Sequence, residues 1–356
     1  MADTSDQEFI QRIGTALEQT FQRAIDEETR GAISFDHKEA KLIIFSDHHR
    51  GGRNGADDFE KCERAYHAAL GYYFNLGYTL VVLGDVEELW EEKPETVIKS
   101  YAYTFQLEKK FADAGRYLRF WGNHDEIWSD ADLVKKYLDP IYATQLDVRE
   151  GRRICLTKDG KELGALFLTH GHQGTKDSDT WAPLSKFLVR YGWQPLQVLT
   201  GYSPNTPAKD WYNRDRHDQA MYQWAQGKGK TILITGHTHK PVFASRSHLT
   251  RAKMRLQDAI DDLKHDPRNA EKITTLAKRA AEYEWVMAKE LRELHDHEHD
   301  KPCYFNSGCC SFGDGDVTGL EIANGMIRLI RWPDDDGAPN GQALEEESLV
   351  TLFGKL

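Results

Sequence analysis

The chain has 356 residues, 40% of them hydrophobic and 29% charged, with a formal net charge of −11. That balance fits a soluble globular protein of one large domain or two small ones. An isoelectric point near 5.8 argues against the broad basic face of a nucleic-acid-binding protein, and no apolar run approaches the roughly 20 residues that cross a bilayer.

In chain order, residues 1–30 carry Phe9, Ile10, Ile13, Leu17, Phe21 and Ile25 at helical spacing with polar residues between, which predicts an amphipathic helix lying on the body. The same stretch lacks the basic-then-apolar order of a signal peptide. Five unpatterned cysteines point to a reducing compartment, so the expected location is cytoplasmic. Strand-like runs fall at 41–46, 79–83, 117–121, 163–169, 231–235, 303–306 and 326–332, with helical patterns at 59–74 and 95–114. Asn324-Gly325 between two late strands predicts a hairpin, hence a sheet that is not purely parallel. The expectation is an α/β fold formed as one domain over 1–356, with an N-terminal helical extension at 1–40 and two added segments. The first, 173–230, is rich in aromatics, among them Trp181, Phe187, Tyr191, Trp193, Tyr202, Trp211, Tyr212, Tyr222 and Trp224. The second, 247–301, reads as a helical hairpin with Leu256, Ile260 and Leu263 on one arm and Ile273, Leu276, Ala280, Tyr283, Met287, Leu291 and Leu294 on the other. The tail, 333–347, is rich in Asp, Gly, Pro and Glu and reads as a surface loop.

Polar residues competent to hold metal follow five of the strands. "IIFSDHHRG" sets Asp47 and His49 after the first, "VVLGDVEELW" Asp85 after the second, and "RFWGNHDE" Asn123, His124 and Asp125 after the third. "LFLTHGH" sets His170 after the fourth and "LITGHTH" His237 and His239 after the fifth. Any one of these is compatible with a turn or a helix cap. Five in order, each after an apolar run, describe one shared site at the carboxyl ends of strands. Imidazole, carboxylate and amide oxygen without thiolate favour Mn, Fe, Zn or Mg over a structural zinc cluster. Two such ions held about 3.5–4 Å apart acidify a shared water to hydroxide and clamp phosphate oxygens.

This ordered set resembles the calcineurin-like metallophosphoesterase superfamily over about residues 41–242. The resemblance implies a sandwich of two mixed β-sheets flanked by helices and a dinuclear metal site. It implies that Asp47, His49 and His239 hold one ion, Asn123, His170 and His237 the other, and Asp85 bridges them. His124 would act on the phosphate and its leaving oxygen, with Asp125 fixing its tautomer and keeping it cationic. The implied reaction is hydrolysis of a phosphomonoester, phosphodiester or pyrophosphate bond by a metal-bridging hydroxide.

Arg50 is a candidate for gripping a substrate phosphate with its planar fork, Arg53 a weaker one. Glu88 is placed to orient a ligand histidine, Trp90 reads as core, and His48 and His172 read as residues beside ligands rather than ligands. "LHDHEHD" at 294–300 reads as a polar helix terminus. Cys309 and Cys310 read as free thiols, because adjacent residues fit disulfide geometry poorly. The substrate stays open between three readings. The first is a phosphorylated small molecule or lipid-linked metabolite, since the Gly-Asp-x-x-Glu-x-Trp run is similar to that of UDP-2,3-diacylglucosamine hydrolases. The second is a nucleotide or phosphoprotein. The third is a partner-binding scaffold, with the helical arm also a candidate homodimer contact.

Overall fold

The computed structural model describes residues 4–55, 57–175, 211–289, 301–334 and 339–356. Helix α1 (Thr4–Gly31) leads into β1 (Ile33–Asp36) and β2 (Leu42–Phe45), then α2 (Glu63–Asn75), β3 (Thr79–Leu83), α3 (Pro94–Ser100), α4 (Ala102–Asp113) and β4 (Tyr117–Phe120). There follow α5 (Ala131–Tyr137), α6 (Asp139–Tyr142), β5 (Val148–Arg149), β6 (Gly151–Lys158), β7 (Lys161–Thr169), α7 (Trp211–Ala225) and β8 (Thr231–Thr235). The chain continues through β9 (Val242–Phe243), β10 (Arg246–Ser247), α8 (His248–His265), α9 (Ala270–Lys289), β11 (Tyr304–Asn306), β12 (Val317–Ala323), β13 (Met326–Trp332), β14 (Gln342–Ser348) and α10 (Leu349–Gly354).

The strands form two mixed sheets of seven, ordered β1-β6-β7-β8-β11-β9-β10 and β14-β13-β12-β2-β3-β4-β5. The apolar runs are continuous rather than alternating because both faces of the central strands are covered. Leu42, Ile44, Val81 and Leu83 face inward and meet Ile154, Leu166, Leu168, Ile232 and Ile234 of the other sheet. Ile43, Phe45, Leu80 and Val82 face outward beneath α2 to α6. On the far side Phe167, Leu233 and Tyr304 are covered by Ile13, Leu17 and Phe21 of α1 and by Met221 and Trp224 of α7. Each such side chain contributes about 1.5–3 kcal/mol of burial, so the α/β/β/α stack follows from the pattern of the strands. Among the described residues no helix is long and apolar enough to cross a membrane, and all five cysteines are free.

The hairpin forms as the sequence predicts. Ala323 pairs with Met326, and Asn324 and Gly325 take φ of 55° and 74°, as its two-residue turn requires. The 95–114 helix breaks at Tyr101, whose fully buried ring separates α3 from α4. The tail is not a loop throughout: β14 pairs antiparallel with β13. Its composition misleads because Glu345, buried against the arm, is neutralised by Arg251 at 2.9 Å and Arg255 at 2.7 Å, both on α8.

Beneath the carboxyl ends of β2, β3 and β4 lies a buried ionic cluster. Arg50 pairs with Glu108, and Arg119 with Glu87, all four side chains fully buried. Glu108 also accepts from the hydroxyls of Tyr66 (3.0 Å) and Tyr142 (2.8 Å), and Glu87 from Trp128 Nε1 (2.9 Å). The Arg50 guanidinium rests among Phe59, Tyr66 and Phe105. A charge in such a place is stable only while paired. Glu108→Gln, nearly isosteric, is therefore expected to cost roughly 3–5 kcal/mol; urea unfolding midpoints of the two proteins check this, and a loss under 1 kcal/mol would contradict it.

Candidate metal centre

Beyond the last paired residues of β2 and β3, the two chains stay zipped. Asp47, His49 and Arg50 donate their backbone N–H groups to the carbonyls of Gly84, Asp85 and Val86 at 3.1, 3.0 and 2.9 Å. Asp47, His49 and Asp85 are carried on this extension with left-handed φ of 54°, 51° and 51°, and His237 and His239 follow β8 at 70° and 56°. Five candidate ligands thus hold a backbone conformation that costs energy, and such strain concentrates at functional sites. The motif glycines make room for ligand side chains: a Cβ on Gly122 would collide with Asp85 and His170, and one on Gly236 with Asp47. On the other side of the β8 loop, Asn306 at the end of β11 donates to Gly236 O at 2.6 Å and Thr238 Oγ1 at 3.1 Å.

Three sets of ligand atoms lie within 4.8 Å of one another: Asp47, His49 and His239; His49, Asp85 and His124; and Asp85, His170 and His237. Asp85 belongs to two of them. Within these sets His49 Nε2 and His239 Nε2 are 3.0 Å apart, His170 Nε2 is 3.0 Å from Asp85 Oδ2, and His239 Nε2 is 3.2 Å from Asp47 Oδ1. Asn123 is tied in through its neighbour, whose N–H donates to Asp85 Oδ1 at 2.9 Å. Asn123 Oδ1 and His170 Nε2 are buried with no hydrogen-bond partner. Asp47, His49, Asp85, Asn123, His170 and His237 are buried, and His239 is partly buried. Closely spaced carboxylate and imidazole donors with unsatisfied buried atoms suit a pair of divalent cations.

The electrostatics are those of opposed charges in a dry pocket. Burial pushes the Asp85 carboxyl up, but His170 and His124 outweigh it and hold it well below its usual range. Burial pushes His49 and His170 down. The Glu88 hydrogen bond and the Asp85 charge raise His49 to about 10, and Asp85 and Asp47 raise His170 to about 9. His237, with burial dominant and His217 adding to it, is held well below its ordinary value.

Several single-residue expectations change. Arg50 is not in the cleft: it is fully buried in the ionic cluster below it, where apolar walls and Glu108 hold it. Arg53 pairs with Glu63 at 2.7 Å. Asp125 does not touch the His124 ring. It accepts backbone N–H groups from Gly122 (2.6 Å), Val86 (3.0 Å) and Asp85 (3.2 Å) and so locks the loops together. The partner of His124 is Glu88, which accepts from His124 Nδ1 at 2.7 Å and from His49 Nδ1 at 2.9 Å. Trp90 is not core; partly exposed, it stacks on His124 at 4.0 Å and donates from Nε1 to Asn123 O at 2.7 Å. His48 is wholly buried among Phe59 and Tyr66, and His172 is buried beside His170 and Trp121.

Sequence reasoning missed Arg214, His217 and Asp218 on α7, which face the β8 loop. The signal was their i, i+3, i+4 spacing inside a segment read only for its aromatics. Of those aromatics, Tyr222 and Trp224 are buried in the core; Trp181, Phe187, Tyr191, Trp193 and Tyr202, like "LHDHEHD", lie outside the described residues.

Glu91, buried next to this centre, has Oε2 without a partner. Burial, then the Glu88 charge, push it up to about 8. A carboxyl raised in the folded state above its unfolded value near 4.5 loses stability for the protein as pH rises from about 4.5 to 8. With cations chelated, Glu91→Gln is expected to raise the Tm by several degrees at pH 8 and hardly at pH 5; thermal melts across that range test it, and equal shifts at both ends would refute the assignment.

With this geometry established, comparison with known proteins is direct. The family model of the calcineurin-like phosphoesterases matches residues 40–241. No curated protein matches the chain. Among solved structures, vacuolar protein sorting 29 from Cryptosporidium parvum aligns with 13% identity and a TM-score of 0.37, covering 87% of this chain and 99% of that one.

Proposed function

The chain belongs to the calcineurin-like phosphoesterase family, and on that premise we propose that it is a dinuclear metal-dependent hydrolase of phosphoric esters. The observation that carries the reading is the sharing of Asp85 between two buried sets of ligand atoms, on a backbone strained at five ligand positions. Asp47, His49 and His239 would hold one cation, Asn123, His170 and His237 the second, and Asp85 would bridge them. Mn, Fe, Zn and Mg all suit this donor set. When bound, such a pair supplies Lewis-acid polarisation of the phosphoryl group and lowers the pKa of water.

The chain's own residues do the rest. Glu88 accepts His124 Nδ1–H, so Nε2 is the nitrogen left to face the substrate. The same carboxylate holds Nδ1 of His49, fixing that ligand's ring with its other nitrogen inward. Trp90 covers one face of His124 and limits its swing. His124 Nε2–H is then placed to give its proton to the leaving oxygen as the P–O bond breaks. Burial of His49, Glu88 and His124 keeps bulk water from competing for these hydrogen bonds.

Reconstitution with Mn, Fe, Zn or Mg, followed by assay on p-nitrophenyl phosphate and its bis ester, tests the proposal. The reconstituted protein is expected to hold two ions and hydrolyse at least one ester. Asp85→Asn is expected to lose metal and activity together. His124→Ala is expected to keep both ions and lose about 10²–10⁴ in kcat. A fully metallated His124→Ala enzyme with near-normal kcat would remove His124 from the mechanism.

A further inference from the structure

Two buried imidazoles beside the candidate centre are not needed for it. His217, 4% exposed, lies with its ring 5.0 Å from that of His237; one ring nitrogen lies against the Gly171 backbone and the other has no partner. His172, 3% exposed, lies 5.5 Å ring to ring from His170, with Nδ1 unpartnered. His170 and His237 are assigned above to the same cation, so the two spare imidazoles flank one half of the centre. Leaving a buried polar group unsatisfied costs about 1–3 kcal/mol. Natural proteins keep few of them, and here His217 and His172 each carry one beside the same pair of candidate ligands.

Helix α7 explains how His217 comes to be there. Asp218 Oδ1 accepts from Thr238 Oγ1 at 3.2 Å and from Tyr304 Oη at 2.8 Å, which pins the helix to the loop that carries His237 and His239. His217 and Arg214 precede Asp218 by one and four residues. Arg214 therefore stands one turn along the same side of the helix, and it is 9% exposed. A guanidinium and two imidazoles beside a cation pair are a donor set for an oxyanion: the imidazoles give directed N–H bonds, the guanidinium a planar fork.

We propose that His172, His217 and Arg214 form a phosphate-holding wall of the site, donating hydrogen bonds to the non-bridging oxygens of the phosphoryl group. This rests on the hydrolase reading above and assigns to α7, together with His172 after β7, the role first expected of Arg50. The ligand class is a tetrahedral oxyanion, phosphate as product or a phosphoryl ester as substrate.

The test is calorimetric binding of inorganic phosphate to the Mn-loaded full chain, together with metal content by elemental analysis and KM for the ester it hydrolyses. His217→Phe is expected to weaken phosphate binding about tenfold, and His217→Gln, which still donates, by less than about threefold. Arg214→Lys is expected to weaken it by about tenfold, because an ammonium keeps the charge but not the fork. KM is expected to rise in parallel, with two ions per chain throughout. Phosphate affinity unchanged in both His217→Phe and Arg214→Lys would overturn the proposal. So would a third ion in the wild type that His217→Phe removes, since the imidazoles would then be cation ligands. A wild type that takes up no metal and hydrolyses nothing would instead defeat the hydrolase reading itself, before any variant is compared.

Discussion

Asp85 is an ionised carboxylate with 1% of its surface exposed, and nearly everything around it exists to make that tolerable. A buried charge needs opposite charge and directed hydrogen bonds within a few ångströms. His170 supplies the charge, its Nε2 3.0 Å from the carboxylate, and the His124 backbone N–H the hydrogen bond at 2.9 Å. Gly122 leaves out the Cβ that would occupy the carboxylate's place. Asp125, itself buried, clamps the backbone on either side by accepting from Gly122, Asp85 and Val86. The cavity is thus a lattice of mutual constraints, in which moving Asp85 would unseat ligands from three different strands.

That lattice rests on a second one. Arg50 and Arg119 bind Glu108 and Glu87 in the layer directly below the loops, ringed by tyrosine hydroxyls and Trp128. Arg50 and Glu87 are also joined through the backbone as a parallel bridge, continuing the β2–β3 pairing past the strands. Buried ion pairs seldom add net stability over a packed apolar core. What this one adds is register, since it ties the Asp47–His49 loop to α4 through Glu108 and the Asp85–Glu88 loop to β4 through Arg119. Preorganised donors of this kind lower the reorganisation needed when charge develops in a reaction.

Glu88 joins the two halves of the proposed chemistry. One carboxylate holds a candidate metal ligand, His49, and the candidate proton donor, His124, whose rings meet edge to face at 4.6 Å. The positions of cation and acid are therefore not independent. Helix α7 closes the opposite side, its face towards the β8 loop set by Asp218 and its outer side buried under α1.

The sequence by itself determined the strands that carry the site, β2, β3, β4, β7 and β8, and the candidate ligands after them, because a strand buried on both faces is an unbroken apolar run and polar residues stand where that run stops; β6, whose faces alternate, left no such run. Asn324-Gly325 likewise dictated its own turn. What the sequence could not determine were relations between distant segments. Arg50 and Asp125 sit in ligand-like positions of their motifs, yet one is drawn down by Glu108 and the other turned towards backbone N–H groups, and only packing decides that. Glu345 reads as loop until α8 brings two arginines to it. His217 is silent in an inserted helix until Asp218 pins that helix against the β8 loop. Local pattern fixes which residues can serve, through periodicity and backbone freedom; which ones face each other across the cleft is settled by long-range contacts that bury charge only where it finds a partner.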